Sequence, residues 1–158
     1  MRLLAIIFSV TLASPAFAGG IFADGFSEPI AAGTSSATLW SDNILGGAIS
    51  DDNALRVRID AHVDGVVSGC NLQVKLNGVT VFSVDCGSYM EIVGDFEVWR
   101  EGTTGGTSVG SVVIGGDWCP LPPSPLSGLA WASGQTLAVV GHASVNGALV
   151  VDRVGYQK

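Results

Sequence analysis

Apolar and polar residues alternate strictly from Leu55. Leu55, Val57, Ile59, Ala61 and Val63 fall on one side of the chain, and Arg56, Arg58, Asp60, His62 and Asp64 on the other. A repeat of two residues turns one face to a core and the other to water, which is a β-strand. Similar runs cover Ala37–Ser41, Asn71–Leu76, Val79–Asp85, Tyr89–Arg100, Ser108–Ile114, Thr136–Ser144 and Ala148–Tyr156. Turn signals stand between them at Asp64-Gly65, Asn77-Gly78, Gly102–Gly106 and Asn146-Gly147. No stretch carries a 3.6-residue repeat, so little or no helix is expected. About eight strands in about 120 residues predict an all-β, two-sheet antiparallel sandwich of jelly-roll-like form, with a closed barrel as the lesser option.

Register connects two of the three cysteines. A plain two-residue turn at Asn77-Gly78 sets Cys70 opposite Asp85 and puts Leu72, Val74 and Leu76 on the face away from Phe82 and Val84. One extra residue in the loop brings Cys70 to Cys86, Leu72 to Val84, Val74 to Phe82 and Leu76 to Thr80. A one-residue slip reverses every side chain, so burial selects the bulged register and a Cys70–Cys86 disulfide over the two other pairings. Cys119 is left over, as a thiol tucked under a loop or as a link between subunits. It lies in Trp118-Cys119-Pro120-Leu121-Pro122-Pro123-Ser124-Pro125, which holds four of the chain's 6 prolines. That segment is expected to be an extended, loop-like crossover, because proline donates nothing to a sheet ladder.

The N-terminal residues 1–18 read as an address. Arg2 precedes an apolar run, Leu3 to Ala13, and Ser14-Pro15-Ala16-Phe17-Ala18 ends in small residues at the two positions a signal peptidase reads. The apolar run is shorter than the roughly 20 residues a membrane helix needs. Cleavage after Ala18 would leave Gly19 first, with 19–36 an irregular segment and 37–158 the sandwich domain. The product is expected to be exported to the periplasm, cell surface or medium, an oxidising setting for the disulfide. The whole chain carries a formal charge of −7 with only 13% charged residues. That balance argues against a phosphate-backbone binder, which needs a basic stripe, so no nucleic-acid partner is expected.

Constellations for chemistry are few. Gly106-Thr107-Ser108-Val109-Gly110 fits G-x-S-x-G, with Asp117 and His142 following in hydrolase order, but the motif needs a helix after its serine and a strand-like run follows instead. His62 and His142 stand at no metal-ligand spacing, and no metal or other cofactor is expected. Asp42, Asn43, Asp51, Asp52 and Asn53 form an acidic loop with oxygen ligands of the kind calcium takes, without an EF-hand spacing. The carboxylates Asp60, Asp64, Asp85, Glu91, Asp95, Glu97 and Glu101 read first as charge on solvent-facing strand positions. Among the aromatics, Trp118 and Trp131 flank the proline segment and are the candidate ligand-binding platform; core packing is the ordinary fate of the others.

Two resemblances add to this. IFADGF, after the cleavage point, is similar to a motif that follows signal peptides in many secreted gammaproteobacterial proteins. From Leu55 to Tyr156, the stretches LRVRIDAHV, LQVKLNGVTVFSV, FEVWREG and TLAVVGHASVNGALVVDRVGY resemble phage-associated β-sandwich accessory domains. That resemblance implies a jelly-roll-like fold used for surface decoration or attachment, with no catalytic residues to carry over. The expectation is a secreted, non-enzymatic β-sandwich with a structural or adhesive role, its partner a surface glycan or a further copy of itself. A carbohydrate-binding module and a phage-derived virion decoration or attachment protein are the alternatives.

Overall fold

Each alternating run becomes a strand, and the strands divide between two sheets. A computed structural model describes residues 21–28, 37–44, 54–131, 135–144 and 147–157. Through these run β1 (Ile21–Glu28), β2 (Ala37–Ile44), β3 (Ala54–Asp64), β4 (Gly69–Leu76), β5 (Val79–Cys86), β6 (Glu91–Glu101), β7 (Gly105–Ile114), β8 (Asp117–Ser127), β9 (Gln135–Ser144) and β10 (Ala148–Gln157). Among the described residues there is no helix, hence none long and apolar enough to cross a membrane. The signal segment expected at 1–18 lies outside the described residues.

Six strands form one sheet in the order β1-β10-β3-β6-β7-β8, and four form the other in the order β2-β9-β4-β5. The antiparallel pairings nest: β1 with β10, β2 with β9, β3 with β6 and β4 with β5, alternating between the sheets. A long hairpin rolled up in this way is a jelly roll. The β7–β8 hairpin is an addition between β6 and β9 that widens the first sheet on one side.

The core lies between the two inner faces. Leu55, Val57, Ile59 and Ala61 on β3 are buried, as are Ile92, Phe96 and Val98 on β6, Leu72, Val74 and Leu76 on β4, and Leu137 and Val139 on β9. At its centre Phe82 of the smaller sheet stacks on Phe96 of the larger, ring centroids 5.0 Å apart and planes within 6°. Gly94 makes room for this: a Cβ there would stand 2.9 Å from Ile59 and 3.0 Å from the Phe82 ring.

The β4–β5 hairpin carries the Cys70–Cys86 disulfide, with Cys70 opposite Cys86, Leu72 opposite Val84 and Val74 opposite Phe82. The extra residue that sets this register sits in a different place from the one expected. Asn77 (φ 48°) and Gly78 (φ 81°) keep a two-residue turn with both residues left-handed. The register shifts at Val81 instead, so Leu76 pairs with Val79 and Lys75 with Thr80. A bulge inside β5 buries Val81 and Phe82 in succession, which an enlarged turn would not do.

Two strands correct the sequence reading. The segment 19–36 was expected to be irregular, yet its residues 21–28 form β1, in register with β10 from Ile21↔Tyr156 to Glu28↔Leu149. Ladder bonds, which any backbone can make, override its unclear side-chain pattern. The proline segment, expected to be a loop, forms β8 at the edge of the larger sheet. Only one side of an edge strand pairs, so missing N–H groups are tolerated there. A bulge sets Pro122 and Pro123 against Val109 alone, and Gly115-Gly116, both at positive φ, close the turn before β8.

Candidate functional site

The outer face of the six-stranded sheet gathers the polar and aromatic groups. Side chains of residues in register share a face of a sheet. On β3 and β6, burial of Leu55, Val57, Ile59, Ile92, Phe96 and Val98 turns their neighbours outward. Arg56 pairs with Glu97 at 2.8 Å and Arg58 with Asp60 at 3.2 Å. These are exposed pairs of modest energetic weight that fix the direction of each side chain.

His62 stands at the end of this row, on the polar face where the alternation places it. Its Nδ1–H donates to Oδ2 of Asp152 at 2.7 Å. An ionised carboxylate only accepts, so the proton sits on Nδ1 and Nε2 is the acceptor of the neutral ring. Asp152 reaches His62 because of a bulge: Val151 pairs with Ala61 and Arg153 with Asp60, leaving Asp152 without an opposite residue. Two successive polar residues thereby fall between buried Val151 and buried Val154. Sequence reading missed Asp152, although the signal was there. The apolar positions of β10 are odd at Leu149 and Val151 and even at Val154 and Tyr156, which marks an inserted residue between them.

Asp60, His62, Glu91, Val93 and Asp152 line a shallow cavity of about 160 Å³ on this face. From it a row crosses the sheet: Asp60 is opposite Val93, Val93 opposite Val113, and Val113 opposite Trp118. The two valines are half-buried, and Trp118 is 64% exposed on the proline edge. The row below it, Arg58, Asp95, Ser111 and Pro120, is polar but for its last member.

Other expected site residues fall elsewhere. Trp131, the second candidate platform, is buried: its indole N–H donates to the Gly105 carbonyl, and with Leu129 it closes the core beneath the start of β7. An apolar ring that follows a strand leaving the sheet gains more by covering the core end than by facing water. Trp99 is 39% exposed on the same outer face as Trp118, but in the row of Thr107 and Pro125. Cys119 is a free, exposed thiol opposite buried Val112, so it faces the other side of β8 from Trp118. Ser108 is buried on the inner face opposite Ser124, whereas Asp117 lies at the other end of that hairpin opposite Ile114 and His142 pairs with Asn71 in the smaller sheet, so the structure does not bring the three together. At one end of the sandwich, Tyr89 (φ 51°) and Val66 are exposed on adjacent loops joined by the Tyr89 N–H to the Gly65 carbonyl.

The acidic calcium candidate is divided. Asp51, Asp52 and Asn53 lie outside the described residues. Asp42 and Asn43 belong to strand β2 and not to a loop, and both are engaged: Asn43 accepts from the Thr136 hydroxyl at 3.0 Å, and Asp42 from the Tyr156 hydroxyl at 3.1 Å. Among the described residues no group of three His, Cys, Asp or Glu side chains is placed to hold a metal.

The Tyr156–Asp42 bond ties one sheet to the other. Burial of Tyr156, then the hydrogen bond to Asp42 and its negative charge, push the phenol up to about 12. The unfolded phenol ionises near pH 10, so the bond's contribution is complete below about pH 10 and is lost as pH rises towards 12. Thermal melts of the wild type should therefore fall steeply across that interval. Tyr156→Phe should melt lower at neutral pH and lack this component of the alkaline fall.

No protein-family model matches this chain, and no curated protein matches it. A search of solved structures finds a likeness to the structure of infectious bursal disease virus, Gx strain. It has a TM-score of 0.30 and 18% identity over 87% of this chain, which spans 35% of the viral chain.

Proposed function

We propose that this is an exported jelly-roll protein with a structural or adhesive role, acting by binding through the outer face of its larger sheet. The observation that carries the reading is Trp118. An indole left 64% in water, on a strand stiffened by Pro120, Pro122, Pro123 and Pro125, is an unused apolar surface with little freedom to lose on binding. The signal-like residues 1–18 and the Cys70–Cys86 disulfide support export, since disulfides persist in oxidising compartments. This reading is one of binding and not of catalysis; Ser108 is buried and His142 lies in the other sheet, so an active-site serine probe should leave Ser108 unlabelled.

A surface glycan is the partner this reading favours, because stacked aromatics bind sugar rings without needing charge. Isothermal titration of the mature protein against a polysaccharide panel should find a binder, and Trp118→Ala should weaken it about tenfold, equivalent to roughly 1.4 kcal/mol. An unchanged affinity for every binder would remove Trp118 from the site. The virion-decoration alternative draws support from the nested jelly-roll pairing, a topology that capsid domains use. It requires assembly, which light scattering on the mature protein reads directly; non-reducing gels would show whether Cys119 links the copies.

A further inference from the structure

We infer that an uncharged oligosaccharide lies across the strands of the larger sheet, one ring stacked on Trp118 and its continuation hydrogen-bonded in the His62–Asp152 cavity. This rests on the binding reading above and specifies its ligand class and its second anchor. Trp118, Val113, Val93 and Asp60 stand in register on neighbouring strands, so indole and cavity are separated by roughly 10–15 Å at the usual strand spacing. Between them the half-buried Val93 and Val113 present apolar side chains, suited to the C–H faces of pyranose rings.

The cavity supplies the complementary polar end. Carboxylates of Asp60, Glu91 and Asp152 accept hydrogen bonds, and the His62 ring offers an acceptor at Nε2. Hydroxyl groups, each a donor and an acceptor, match that set. Charge decides the class of glycan. Three carboxylates in a chain of net −7 disfavour uronates, sulfates and phosphates. Asp60 is already paired with Arg58, Asp152 accepts the His62 Nδ1–H, and among the described residues no three such side chains are placed to hold a metal, so the site is no strong trap for cations. A protein partner would need a broad apolar centre, and here the polar row of Arg58, Asp95 and Ser111 borders the two valines.

The test titrates N-acetylchitohexaose, cellohexaose and laminarihexaose, with a hyaluronan hexasaccharide as the anionic control, into the mature protein. The variants are Trp118→Ala, Asp152→Ala, His62→Gln and Trp99→Ala, each checked by circular dichroism for an unchanged fold. The expected result is binding of at least one neutral hexaose. Trp118→Ala should weaken it about tenfold and the two cavity variants roughly five- to tenfold, while Trp99→Ala, off the row, leaves it unchanged. Loss with Trp118→Ala but none with Asp152→Ala or His62→Gln would overturn the second anchor and leave the adhesive reading standing. Preference for the anionic sugar would overturn the ligand class. Binding of no hexaose, with a mass by light scattering that falls on Trp118→Ala, would overturn the glycan and assign the face to a second copy.

Discussion

Phe96→Ala is expected to destabilise the protein by about 3–5 kcal/mol, the usual cost of deleting a fully buried aromatic ring. The site predicts the upper part of that interval. Phe96 is 2% exposed and stacks on Phe82 across the two sheets, so its loss empties the centre of the core. Its register partner on β7 is Gly110, which has no side chain to fill the void. A Cβ at Gly110 would meet the Asp95 carbonyl oxygen and stand 2.5 Å from the Phe96 Cβ, so the close approach of the two backbones requires glycine there and no larger residue can move in to fill the void. Urea titration of the protein measures the effect; a loss below about 1 kcal/mol would mean that the core relaxes around the cavity.

Removing the disulfide is the second large change. The double variant Cys70→Ala/Cys86→Ala is expected to lose about 3 kcal/mol, because the bridge closes a loop of 16 residues in the unfolded chain. For a domain of this size that corresponds to a fall in melting temperature of roughly 10 °C. Reduction of the wild type should give a similar fall and leave the variant unaffected. The native hairpin should survive the change, since Leu72, Val74, Phe82 and Val84 still hold its register. A variant as stable as the wild type would show that this packing alone already restricts the unfolded ensemble.

The fold was legible wherever one face of a strand is buried and the other wet. The strict alternation of β3 and the agreement of Cys70–Cys86 with Leu72–Val84 and Val74–Phe82 are direct consequences of pleat geometry. What escaped was set by backbone pairing. β8 is held by a single ladder with β7, and its side chains are mostly exposed, so its sequence shows prolines and no alternation. The position of the β5 bulge escaped for a related reason: an extra residue in the turn or at Val81 gives the same pairing further along the hairpin. The site was legible in part. His62 on a polar face follows from local pattern, whereas its partnership with Asp152 depends on two strands distant in sequence and on a bulge. Trp131 could not be told from Trp118 by sequence, because its burial depends on the segment after β8 folding back beneath β7.

The prolines of β8 have a consequence for assembly. An open sheet edge is a template onto which another chain can add a strand, and fibres grow by repeating that step. Four residues of β8 have no amide hydrogen to offer a newcomer, and the Pro122–Pro123 bulge twists the line of carbonyls between them. The widened side of the sandwich is therefore a poor template for strand addition. Trp118 is thus held in water on an edge that offers another copy few amide hydrogens to pair with.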